Sequence, residues 1–457
     1  MARQGSIFFR LTFSPLLLFS VVFAIIAFLS PQTCAAQEQN ATVVGYITAV
    51  HPPGEFDVNG EHVTTSAVTT YGLKDAKEAS TDSSMKNAVE VGAYVFVWGE
   101  VNSKSKNVKA ESVRFRDIRN RKLSGLGVID KVISTGPQTV LRADGYRIHI
   151  APETKILFQG DLKTLADVDT NTWLHYEGKR DQAGDLVASS VHFIPAKPAK
   201  FKAVQGLEVS QIQLKAADPS RNPGGKPAPL VDNGSLRPND KVKMWPFTPW
   251  HTILDDQALQ ERVRRVGMSV VPEYQRKLPD GHPSKIHFSF YVVDDAKDRS
   301  EFLSLDGLIL APKVIMDRLK NDDQLAAVLA SGVAFNLQRQ GAKLVDADRA
   351  ALGGEAAAIV AGAFVPGLDL AILVGVGGAT GKVLIAMEEQ RGRVALSLMA
   401  DAGYDPWQAP EAWRLLGPKK LPADLDSLKY PDLSAYQLGI LNLQYHPVGA
   451  SGGVKSQ

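Results

Sequence analysis

Between Thr42 and Phe193 the chain carries one pattern twice, and this duplication restricts the fold more than any other feature. Gly45-Tyr46-Ile47-Thr48-Ala49-Val50 corresponds to Gly127-Val128-Ile129-Asp130-Lys131-Val132. A hairpin dipeptide follows in each copy, Asn59-Gly60 and then Asp144-Gly145, the pairs favoured where φ must be positive. Next come Tyr94 to Gly99 and Trp173 to Gly178, and each copy closes with a short segment, Ala110 to Val113 and Ala188 to Val191. Their alternation is that of half-buried strands. Short strands with frequent turns predict a small closed, OB-like barrel over residues 42–115 and another over 122–195. Trp98, Trp173 and Tyr176 are candidates for stacking on a ligand, although aromatics at strand centres more often fill a core.

The 457 residues exceed one ordinary domain. A net charge of +2 gives no electrostatic case for nucleic acid, and the barrels lack a basic face interleaved with aromatics. At the start, Arg3 and Arg10 precede an apolar run from Leu11 to Ser30, and Cys34-Ala35-Ala36 then gives way to polar residues. That is the pattern of a secretory signal peptide over residues 1–36. The alternative is an uncleaved anchor, because the run is long enough to cross a bilayer. The expected location is periplasmic or extracellular, with membrane contact only through that N-terminal segment. Cys34 is the sole cysteine and would leave with the signal, so the mature core must hold by packing alone.

Residues 196–250 read as a linker and strand-loop connector. A strand-like piece runs from Ala203 to Leu214, and a loop rich in Pro, Gly and Asn spans Asp218 to Asp240. Trp245, Phe247 and Trp250 are expected to pack at a domain junction.

A third domain is expected over residues 251–446, before a flexible tail at 447–457. Asp255 to Ser269 has helical periodicity, Ile286 to Val293 reads as a strand, and Phe302 to Leu310, with Asp306-Gly307 as a turn, fits a second. A short helix over Lys313 to Leu319 precedes an amphipathic helix, Asn321 to Gln340, whose acidic first turn is Asp322-Asp323. Between Glu355 and Met387 lies an apolar, small-residue run, read as a buried helix pair with a membrane span as the alternative. Gly375 to Lys382 fails the phosphate-loop pattern at Val376 and Val383 and the dinucleotide pattern at Thr380. His282 and His287 are separated by Pro283 and cannot share a helical face, and His446 stands alone.

The helix at Asn321 to Gln340, with the later segment Ala402-Gly403-Tyr404-Asp405-Pro406, resembles the gluzincin metallopeptidases that include the CAAX prenyl endopeptidases and HtpX. In that family a helix like this one carries His-Glu-x-x-His, with two zinc ligands one turn apart and a Glu that polarises the metal-bound water. Here the five positions are Ser331-Gly332-Val333-Ala334-Phe335. The family's third ligand, a Glu twelve residues before the Ala-Gly-Tyr-Asp-Pro marker, falls on Gln390, and the Asp two residues later falls on Gly392. The resemblance thus implies a zincin-like α+β domain whose catalytic position (Gly332) and metal positions (Ser331, Phe335, Gln390) are vacated. It also implies a strand hairpin beside a cleft, whose edge can pair with an extended peptide. The barrels in turn resemble tandem bacterial modules of unknown function found on exported proteins.

The chain is therefore expected to be multidomain, with two small all-β barrels followed by an α+β zincin-like domain. The function expected is that of an exported pseudo-metallopeptidase, a non-catalytic binding or scaffolding protein of the cell envelope, with no cofactor. Its expected partner is an extended peptide or an envelope protein at the former cleft. The alternative is an active zinc metalloendopeptidase, against which stands the absence of any His-x-x-x-His pair among nine histidines.

Overall fold

The computed structural model describes residues 41–51, 53–58, 60–74, 83–102, 107–116, 122–136, 138–181, 183–195, 212–222, 224–244, 250–297, 301–303, 307–340, 378–417 and 432–444. Residues 1–36, expected above to be a signal peptide, Trp245, Phe247, His446, the tail and most of the apolar run after Glu355 lie outside them.

The duplication in the sequence is a duplication in space. The first copy contains β1 (Val43–His51), β2 (Glu55–Val58), β3 (Glu61–Thr64), β4 (Thr70–Leu73), β5 (Tyr94–Val101) and β6 (Val108–Phe115). The second contains β7 (Leu123–Ser134), β8 (Thr139–Ala143), β9 (Tyr146–Ile150), β10 (Lys155–Phe158), β11 (Trp173–Arg180) and β12 (Leu186–Ile194). In the first, β3-β2-β1-β5-β6 is closed into a ring by a parallel β3–β6 pairing, and β4 lies parallel on β6 beyond β3. The second repeats this, with β9 and β10 both parallel to β12.

Even the irregularities recur. The β1–β2 register shifts between Ile47 and Ala49, and the β7–β8 register between Ile129 and Lys131. A second shift falls at Gly99 in one barrel and Gly178 in the other. There a Cβ would come within 2.0 Å of the Lys109 carbonyl oxygen or 2.3 Å of that of Val187, so the closing strand approaches too closely for a side chain. Ile47, Phe56, Val63, Val97 and Val113 fill one barrel, and Ile129, Leu141, Leu174, Leu186 and Phe193 the other. Tyr176 is buried in the second core and Trp173 is buried beside Leu126, Val128 and Ile194, so neither faces a ligand. Trp98 is half-buried and stacks on Phe96.

The connector is more ordered than its composition suggests. β13 (Ile212–Lys215), β14 (Ala228–Pro229), β15 (Lys241–Met244) and β16 (His251–Thr252) form an antiparallel sheet in the order β14-β13-β15-β16. Buried Asp240 holds the long loop, accepting from the backbone N–H groups of Ala217 and Arg237 and pairing with Arg221 at 2.7 Å. Ile212, Leu230, Leu236 and Val242 then share a core with Val293, Leu308 and Leu310. A few well-spaced apolar residues suffice here because residues of the next domain complete their core.

The C-terminal region contains α1 (Gln257–Val270), α2 (Glu273–Lys277), β17 (Ser289–Val293), β18 (Phe302–Leu303), β19 (Leu308–Pro312), α3 (Lys313–Arg318), α4 (Asp322–Leu337), α5 (Gly378–Asp401), α6 (Gln408–Leu416) and α7 (Leu433–Gln444). The molecule is thus multidomain, with two all-β barrels and a helix-rich α+β region. The expected hairpin between Ile286–Val293 and Phe302–Leu310 is not formed. The second stretch folds back on itself at Gly307, so β18 and β19 make the hairpin and β19 runs parallel to β17. Among the described residues, no helix is long and apolar enough to cross a membrane.

Candidate functional site

Helix α4 is capped by Asn321, whose side chain accepts from the Gln324 N–H at 2.9 Å. Asp322 accepts from Arg262 and Arg265 of α1 at 2.8 and 2.7 Å. Burial works against ionising Asp322, but the two guanidinium groups outweigh it and hold its carboxyl below the usual range. The helix is not amphipathic in its setting. Leu325 to Ala334 are all buried, because α1, α5 and α6 pack around it.

The Ala402-to-Pro406 marker clasps these helices together. Gly403 takes a φ of +82° after the end of α5, Tyr404 shares a 2.9 Å hydrogen bond with Ser269 of α1, and the Asp405 N–H donates to Asp323 of α4 at 3.0 Å. These contacts join α1 and α4 to the end of α5.

The positions that the resemblance aligns with zinc ligands make other bonds in this chain. Ser331, fully buried, donates to Glu301 at 3.3 Å. The Glu301 side chain is 1% exposed, and Arg391 reaches it at 3.8 Å while also pairing with Glu388 at 2.6 Å. Two carboxylates thus face one guanidinium beside Ser331. Gly332 offers only its backbone carbonyl, which accepts from Asn336 at 3.3 Å, and Phe335 is half-buried. Ser331, Gly332 and Phe335 offer no imidazole, and among the described residues the nearby carboxylates Glu301 and Glu388 already meet Arg391. The residues do not fit zinc. Glu301 was not singled out in the sequence, since nothing in its neighbourhood distinguishes it from other acidic loop residues.

Gln390 does something else again. Its amide donates to the Leu126 carbonyl of β7 at 2.9 Å and accepts from Gln340 at 3.0 Å. Gln338 makes a two-way pair with Val128, accepting from its N–H at 2.8 Å and donating to its carbonyl at 3.2 Å. The physical reason lies in the barrel. β7 pairs with β11 over Leu123 to Val128 but with β8 only from Ile129 onward, so the first half of β7 has an edge that β8 leaves open. The two glutamine amides bond to that edge as a neighbouring strand would.

A second contact lies at the Asp144-Gly145 turn, where Asp144 has a φ of +55°. Asp144 pairs with Arg393 of α5 at 2.6 Å and accepts from Tyr176 on its other oxygen. Arg393 also donates to Tyr436 of α7 at 2.6 Å. Burial works against the Arg393 charge, but Asp144 and the surrounding tyrosines hold the group firmly protonated. Asp401 at the end of α5 pairs with Arg142 at 2.7 Å and Lys131 at 2.9 Å. The first barrel docks through Tyr46, which donates to Glu389 at 2.8 Å, and through Gly92, packed on Gly439.

Residues 44–114, the first barrel, match the family described as Domain of unknown function (DUF5666). No curated protein matches the chain. The second barrel lies outside that match yet repeats the strand order and bulge positions of the first.

Proposed function

We propose that the chain is an exported pseudo-metallopeptidase, a zincin-like domain without its metal chemistry that works with two OB-like barrels as a binding or scaffolding protein of the cell envelope. The observation that carries this reading is the bond from Gln390 to Leu126. The position that aligns with a zinc-ligating Glu instead fastens a barrel to the helical domain. Binding needs only backbone groups, and among the described residues β18 is an outer strand of the sheet β17-β19-β18, immediately after Glu301 in the chain. An extended peptide segment of an envelope protein is the partner of matching chemistry.

The test is hydrolysis of casein by the purified mature chain with zinc, without added metal, and with chelator. No hydrolysis under any condition is expected, together with capture of extended peptides from a library. Hydrolysis abolished by chelator and restored by zinc would overturn the proposal. For export, the N-terminal sequence of the mature chain is expected to begin at Gln37, and an intact Met1 end would refute cleavage.

A further inference from the structure

On the outer face of the first barrel, three neighbouring strands bring chemically matched side chains together. His51 ends β1, Asp57 lies in β2 and His62 in β3. One Asp57 oxygen is 3.0 Å from His51 Nε2, and the other is 2.7 Å from His62 Nδ1. The ligand atoms of the three residues all lie within 4.8 Å of one another. Glu55 sits at the rim, with its carboxylate 3.4 Å from the other nitrogen of His62.

We infer that this face is a binding site for a divalent transition-metal ion of the zinc, nickel or copper type, held by His51, Asp57 and His62 with a fourth position open to water. Tetrahedral sites with bonds near 2.0–2.1 Å place their ligand atoms about 3.3 Å apart. The two spacings run to different oxygens of Asp57, so an ion held by one carboxylate oxygen and both imidazoles takes the place of the shared protons after rotation of these side chains, whose ligand atoms already lie within 4.8 Å of one another. Two imidazoles and one carboxylate suit these metals, whereas calcium and magnesium prefer all-oxygen sets.

The duplicated barrel supplies an internal comparison. By register, Asp57 and His62 correspond to Arg142 and Arg147 of the second barrel. There Arg142 pairs with Asp401 of the helical domain, so the same place serves as a docking contact. In the first barrel that place faces solvent and carries metal-ligand types instead of guanidinium groups. A second cluster of similar composition among the described residues, His149, Asp181 and Asp185, is spoken for. Arg147 lies 3.5 Å from Asp185, and Asp181 accepts two backbone N–H groups of its own turn.

The experiment is calorimetric titration of the tag-free, metal-free full chain with zinc and with nickel, followed by NMR of the histidine ring signals. One ion per chain is expected, with a dissociation constant on the order of 10 μM or tighter and with the His51 and His62 signals perturbed first. His51→Ala and His62→Ala should each weaken binding at least about 30-fold, while His149→Ala leaves it unchanged. His51 is half-exposed, so H51A tests the site even if H62A folds poorly. No ion bound, or binding that survives H51A in a chain with unchanged circular dichroism, would overturn the assignment. The site is independent of the peptidase question, which chelator-sensitive hydrolysis decides and zinc content alone does not.

Discussion

Replacing Asp144 by Asn tests whether the second barrel and the helical domain form one cooperative unit. Asn tolerates the +55° φ of this position, so the substitution removes charge without adding backbone strain. In the wild type the Asp144 and Arg393 side chains are 4% and 11% exposed, and Arg393 has Tyr436 and the Asp144 backbone carbonyl as further acceptors. Removing one partner of a buried pair leaves the other charge uncompensated and costs about 3–5 kcal/mol. The remaining acceptors of Arg393 place D144N at the lower end, about 3 kcal/mol. For a cooperative unit of this size, that is a drop of about 6–12 °C in Tm. Differential scanning calorimetry should also resolve a barrel transition from a helical-domain transition that coincide in the wild type. The double variant Asp144→Asn with Arg393→Met removes the stranded cation and should recover at least half of the loss. A Tm change below about 2 °C, or a double variant no more stable than the single, would refute the claim that this pair carries the interface.

Three further outcomes follow from other contacts. Gln390→Glu replaces the donor to Leu126 with a buried carboxylate, and at pH 7 it should cost about 3 kcal/mol in urea unfolding, with part of the loss regained in acid as the new group protonates. Asp322→Asn should cost about 1 kcal/mol, discounted because the side chain is a third exposed. The lowered carboxyl of Asp322 means that this contribution is complete above its unfolded value near pH 4 and fades as pH falls through the lower folded value, so wild type and variant should converge in strong acid. Gly92→Ala would place a Cβ 2.6 Å from the Gly439 backbone nitrogen at a φ of +94°, and a loss above about 2 kcal/mol is expected by thermal melting, against none if α7 can slide.

What could be read from the sequence is what local chemistry dictates. Asp144-Gly145 declared a turn, the alternation around Leu174 and Val97 declared strands, and Asn321 with its acidic first turn declared a helix start. The closure of each barrel was also legible, because two copies of one strand pattern admit few topologies. The short strands β2, β3, β4, β8, β9 and β10 were not, since four or five residues carry too little periodicity. The parallel pairing of β17 with β19 escaped for a different reason: a single apolar stretch, Phe302 to Leu310, supplies both arms of a hairpin, and spacing alone does not say which arm faces its neighbour. At the candidate site, the changed identities of Ser331, Phe335 and Gln390 were visible, but Glu301 and Arg391 were not. Their significance arises only when loop and helix meet around Ser331.

The glutamine at position 390 and the docking of the barrel are one physical fact. The open edge of β7 presents a carbonyl at Leu126 and both a carbonyl and an N–H at Val128, so it must be met by a donor at the first and by a donor-acceptor pair at the second. A glutamine amide provides both kinds of group and a glutamate only acceptors. A carboxylate at 390 would face the Leu126 carbonyl with no proton to share. The donor amide of Gln390 on helix α5 is therefore what meets the open edge of β7 at Leu126, as Gln338 meets it at Val128.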